Sequence, residues 1–151
     1  MTYHQTYPIA LCCAALAGLL VGCNTTSYEN LKNTEAKGGV FSKTLAEEYK
    51  AFAKSEIDQY DWPDQQLIAD KGIKAAKGER PLPEDTKGWR LKDDDEAVLK
   101  AHRNDLIHWL NTDARFKAPV RSAKAQAQFD CWVEQQEENW QTEHIKACRD
   151  G

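Results

Sequence analysis

Apolar positions along the chain form one continuous run, followed by a series of helical periods. The run spans Ile9 to Gly22, and its centre, Ile9-Ala10-Leu11-Cys12-Cys13-Ala14-Ala15-Leu16, has no polar face. It is 14 residues long, short of the ~20 that cross a hydrocarbon core and within the ~7–15 of a signal-peptide apolar region. Residues 24–41 mix Asn, Thr, Ser and Lys with Gly38-Gly39 and hold few apolar anchors. With Cys23 they are expected to form a flexible linker over 23–43.

From Thr44 the spacing changes. Leu45, Tyr49, Phe52, Ala53, Ile57 and Tyr60 recur at three- and four-residue steps, which is one face of a helix. Asp61-Trp62-Pro63 stops it and restarts a second helix, with Leu67, Ile68, Ile73 and Ala76 apolar and Gly78 as its C-terminal stop. Residues 79–92 read as a loop punctuated by Pro81, Pro83 and Gly88. A third helix opens on Asp93–Asp95, whose charge suits a helix N-terminus, and carries Val98, Leu99, His102, Leu106, Trp109 and Leu110. Ala118-Pro119 opens a fourth, with Ala125, Phe129, Trp132, Val133, Gln136 and Trp140 on a face. Thr142 is expected to cap a short fifth helix bearing Ile145 and Cys148. No segment alternates with period two. The fold class is therefore all-α: a helical domain over 44–149, a small bundle of about four to five helices arranged as hairpins near 44–78 and 93–141.

The apolar run ends on Leu20-Val21-Gly22-Cys23, which has the form of a lipobox, the site at which a lipoprotein signal peptidase cleaves. This predicts a lipoprotein signal peptide over 1–22 and acyl chains, palmitate among them, on Cys23. Residues 1–8 contain no Lys or Arg, so the amino terminus supplies the positive charge of the leader. More than one acyl chain gives stable membrane attachment. Asn24 stands where Asp would signal inner-membrane retention in enteric bacteria, which points to the periplasmic face of the outer membrane. Of five cysteines, Cys12 and Cys13 lie in the leader and Cys23 takes the lipid. Cys131 and Cys148 remain, an even pair in a compartment that permits a disulfide.

Every charged residue lies beyond position 22, with 20 Lys+Arg against 24 Asp+Glu. This balance gives no basic footprint for nucleic acid and no polybasic attraction to anionic headgroups, leaving the lipid as the link to the membrane.

Phe129-Asp130-Cys131-Trp132-Val133-Glu134-Gln135-Gln136-Glu137-Glu138, followed by Trp140-Gln141 and Ile145…Cys148-Arg149, resembles the N-terminal region of OmpA-family lipoproteins of α-proteobacteria. Glu48-Tyr49…Glu56…Tyr60-Asp61-Trp62, Lys71-Gly72 and Pro83-Glu84-Asp85 before Trp89 extend the resemblance over most of 44–149. In that family a peptidoglycan-binding OmpA-like domain follows the helical region. Its binding residues have no counterparts in these 151 residues, so direct peptidoglycan binding is not carried over, and the resemblance implies a stand-alone or shortened relative.

The expected role is non-catalytic: structural or partner-binding, with an envelope protein as the partner class. Trp62, Trp89, Trp109, Trp132 and Trp140 first serve to fill volume. Trp89, Trp132 and Trp140 are the candidates for lining a partner's groove. The enzymatic alternative is a cell-wall-acting hydrolase using Glu134, Glu137 and Glu138, of which Glu134 and Glu138 share a helix face. A helical Glu/Gln run reads more simply as a solvated face, and nothing in the sequence supplies an apolar pocket to raise one pKa. Asp93–Glu96 lacks the calcium loop's central Gly and closing Glu. His102, His108 and His144 are too scattered for zinc. No cofactor is expected.

Overall fold

The computed structural model describes residues 26–151, all-helical with no strands among them. In chain order the helices are α1 (Ser27–Asn33), α2 (Val40–Asp58), α3 (Trp62–Ala76), α4 (Asp93–Asn111), α5 (Ala114–Lys117), α6 (Pro119–Glu138) and α7 (Thr142–Asp150), with a single 3-10 turn at Thr86–Gly88. The signal peptide and the Cys23 anchor expected from the sequence lie outside the described residues.

α2 and α3 form an antiparallel hairpin, joined where Asp61 caps α3 by accepting from Asp64 N at 3.1 Å. α6 lies along α2, and α4 runs back along α6. Leu45, Tyr49, Phe52 and Ala53 of α2 meet Ile68 and Ala69 of α3 and Ala123 and Ala127 of α6 in the main core. Leu99 of α4 packs with Phe129 and Val133 of α6 in a second, smaller core.

At the end of α3, Glu79 N donates to Lys74 O and Gly78 N to Ala75 O, the paired closure that a left-handed residue permits. Gly78 takes φ +88°, as the stop expected there requires. Gly38 does likewise, and a Cβ on it would stand 3.0 Å from the Gly78 Cα. The two glycines let the α1–α2 turn press against the end of α3.

Three expectations are corrected. The segment read as a flexible linker holds α1 and the first turn of α2. Leu31, its one strongly apolar residue before Val40, is 2% exposed and packs onto α3 where Gly72 lacks a side chain. Tyr60 does not continue the apolar face of α2: the helix ends at Asp58, and Tyr60 sits at φ 64° and 79% exposed. Thr142 is the first residue of α7 rather than its cap; Gln141 holds the cap position without a side-chain bond. The one-turn helix α5 between α4 and α6 has no periodic signature at its length.

Candidate functional site

The face of α6 turned toward α2 and α3 carries a polar stripe beside the core alanines Ala123 and Ala127. Gln126, Asp130, Glu134 and Glu138 recur every four residues, and the first three are fully buried. This stripe organises two adjacent clusters.

In the first, the Asp130 carboxylate accepts from Lys71 Nζ at 2.5 Å, from the Tyr49 hydroxyl at 2.6 Å and from Glu84 N at 2.8 Å. Lys71 Nζ also donates to Glu84 Oε1 at 2.6 Å, and Trp89 Nε1 to Glu84 Oε2 at 3.3 Å. Gln126 Nε2 bridges the Tyr49 oxygen and Pro81 O. Arg103 Nε of α4 donates to Glu84 O at 2.5 Å. One network therefore sews the 79–92 loop to α2, α3, α4 and α6. Burial pushes the Asp130 carboxyl up, with Lys71 opposing the shift and Glu84 adding to it. Burial, then the Asp130 charge, raises the Tyr49 phenol well above its ordinary value and keeps it a proton donor. Most of the charged and polar atoms of this cluster are directed at one another, which fixes its geometry.

The second cluster lies one turn farther along α6. Burial raises Glu134 to about 9, and the facing Glu56 of α2 adds to the shift. Burial raises Glu56 to about 7, with Asp61, Asp64 and Glu138 contributing. Asp64 rises to about 6, through burial and then through Asp61, Glu137 and Glu138. Glu134 Oε2 accepts from Gln135 Nε2 at 2.7 Å. The solvated-face reading of the Glu/Gln run is thus corrected: Glu134 and Gln135 are buried, Glu137 and Glu138 partly so. The environment that raises a carboxyl pKa exists, but Glu134 is inside the packing. An open groove nearby is lined by Asp64, Leu67, Glu84, Asp85 and Trp89, and Glu134 does not line it.

The three tryptophans singled out from sequence are not gathered into one groove. Trp89 and Trp132 pack around the smaller core, and the Trp132 ring lies 5.1 Å from that of His102. Trp140, in the α6–α7 turn, is 71% exposed. Cys131 and Cys148 are joined, with Cα atoms 5.6 Å apart, holding α7 on α6. Among the described residues no group of His, Cys, Asp and Glu is arranged to hold a metal, and no helix is long and apolar enough to cross a membrane.

The helix ends carry a feature that periodicity does not reveal. α2 and α6 both lack acidic residues in the first turn and basic residues in the last. Instead Lys43 and Arg121 stand at the N-termini, and Asp58, Glu137 and Glu138 at the C-termini. This opposes the helix dipole, at ~0.3–1 kcal/mol per charge.

No family model, curated protein or solved structure matches this chain.

Proposed function

We propose that this chain is a lipid-anchored lipoprotein of the bacterial envelope, held by acyl chains on Cys23, whose helical body works without catalysis as a structural or partner-binding module on the periplasmic face of the outer membrane. The observation that carries the reading is Leu20-Val21-Gly22-Cys23 at the end of a 14-residue apolar run, followed at once by packed structure. Thr26 caps α1 through Glu29 N, and Leu31 is already core. Four residue steps separate Cys23 from Ser27, which span at most about 14 Å when fully extended. A lipid on Cys23 then holds the body against the membrane surface rather than at the end of a long tether, and a partner has to be met there.

The non-catalytic part of the reading is supported by where the ionisable groups point. Asp130, Tyr49 and Glu134 face the interior. In the block that resembles OmpA-family lipoproteins, Asp130 and Cys131 both serve cohesion, one through Lys71 and the other through Cys148. The raised pKa of Glu134 favours the cell-wall-acting enzyme as second reading. That reading requires Glu134 to reach solvent, and predicts that Glu134→Gln abolishes activity while leaving folding intact.

Labelling in the native host with an alkyne analogue of palmitate tests the main reading. The wild-type chain takes up label and fractionates with membranes, and Cys23→Ser loses both. Label that persists in Cys23→Ser, or its absence from the wild type, overturns it.

A further inference from the structure

α2, α3 and α6 all run between the same two ends of the molecule, about 28 Å apart along the nineteen residues of α2. The ends carry opposite charge. Segments 54–66 and 134–144, which form one end, hold eight carboxyl groups and one lysine; Glu56 and Glu134 are buried, and Arg90 reaches in to pair with Glu137. Segments 37–43, 74–80 and 113–124, at the other, hold nine basic residues and two acidic ones; of the nine, Arg115 is buried and Lys117 pairs with Asp113. Contacts bring each set together. Gln141 Nε2 donates to Gln59 Oε1, tying the α6–α7 turn to the α2–α3 turn. At the opposite end, the Arg80 guanidinium lies 5.4 Å from the centre of the Phe116 ring, and Lys37 N donates to Ala76 O at 2.6 Å.

Each end also exposes large apolar side chains: Tyr60, Trp62 and Trp140 at the acidic end, and Val40, Phe116 and Val120 at the basic one. Tyr60 is held in the left-handed region, costly for a bulky residue, yet it reaches solvent and fills no core. The charges at the ends of α2 and α6 oppose the helix dipoles, with Asp58 paired to Lys54 and Glu137 to Arg90 within the chain. Aromatic side chains set among charge predominantly of one sign are anchors of protein interfaces, with the charge steering approach and setting orientation.

We infer that the chain associates with itself head to tail, the basic end of one copy seated on the acidic, aromatic end of the next. Arginine and lysine of the incoming end meet Trp140, Trp62 and Tyr60 as cations over ring faces. They also approach the crowded carboxylates Asp61 and Asp64, beside the Lys54–Asp58 pair. The contact joins two different surfaces, so it repeats into a ring or an open row rather than closing as a two-fold dimer. The inference stands on the two ends alone, whether or not Cys23 carries lipid.

The test mixes full-length chains bearing two different affinity tags, purified separately in detergent. One variant removes the acidic-end anchors, Tyr60→Ser with Trp140→Ser. The other removes the basic-end anchors, Phe116→Ser with Arg121→Glu. Wild-type copies are expected to co-purify at low salt and to lose this at high salt. Each variant is expected to fail with its own kind, and the two variants to co-purify with each other, because each keeps the end the other lacks. That recovery also shows that both fold. As a second measurement, a photo-cross-linker replacing Phe116 in otherwise wild-type chain is expected to join residues 58–62 or 140 of another copy. Wild-type chains that do not co-purify, variants that still pair with themselves, two variants that fail together, or cross-links mapping to another surface would overturn the inference.

Discussion

Lys71 Nζ stands 2.5 Å from Asp130 Oδ2 across the α3–α6 interface, with the Tyr49 hydroxyl on the same oxygen. Both side chains are buried, so the pair depends on mutual satisfaction. Lys71→Met leaves a buried carboxyl without its cation and should destabilise by about 3–5 kcal/mol. Adding Asp130→Asn to Lys71→Met should cost less than the two single changes summed, because the pair is coupled. Urea unfolding of the four proteins measures both quantities; strict additivity would show that the network is not a unit.

Reduction should act locally. The Cys131–Cys148 bridge closes a loop with a sequence separation of 17, a constraint of about 3 kcal/mol in the chain-entropy model, and α7 contributes no buried residue. Cys148→Ser should therefore release α7 while α2, α3 and α6 stay folded. Hydrogen exchange checks this: protection is lost over 142–150 and kept in α2.

Gly72 is the contact between α1 and the bundle. A Cβ there would lie 2.5 Å from Leu31 Cδ2 and 3.2 Å from Tyr49 Cβ. Leu31 can swing aside but the Tyr49 stem cannot, so Gly72→Ala should cost about 1–3 kcal/mol and loosen α1 first. A melting temperature equal to wild type, with α1 still protected from exchange, would contradict the packing described.

The Glu56, Asp64 and Glu134 carboxyls all rise above their ordinary values. The folded state therefore holds protons that the unfolded state gives up. Their contribution is fully present below the ordinary carboxyl range and is lost as pH climbs through about 6, 7 and 9. Each group contributes about 1.4 kcal/mol per pH unit inside its own window. Wild-type stability should fall between pH 5 and 9, and Glu134→Gln should flatten the upper part of that fall. Denaturation midpoints across this range, compared for the two proteins, would show parallel slopes if Glu134 is ordinary.

The sequence shows the helices more clearly than the seam between them. Three-residue and four-residue apolar steps place α2, α3, α4 and α6 to within a few residues, and Gly78 marks a true stop, because these signals are local. α1 escapes detection because one leucine anchors it and its receptor is a missing side chain at Gly72, 41 positions away. Of the stripe Gln126-Asp130-Glu134-Glu138, only Glu134 and Glu138 stand out in the sequence, as residues sharing a helix face. The stripe's meaning rests on Tyr49 and Lys71, 81 and 59 positions from Asp130, and an acidic helix face looks the same in sequence whether water or Lys71 covers it. Trp89 and Trp132 were equally ambiguous: an aromatic that closes a small core and one that awaits a partner share a composition and differ in neighbours.

The most direct test of the anchored-module reading is the intact mass of the protein extracted from its own host's membranes, alkylated with and without prior reduction. The reading predicts a species beginning at Cys23, heavier than its polypeptide by acyl chains, with two thiols that appear only after reduction. An unprocessed chain whose thiols alkylate without reduction would contradict the anchor, the compartment and the bridge together.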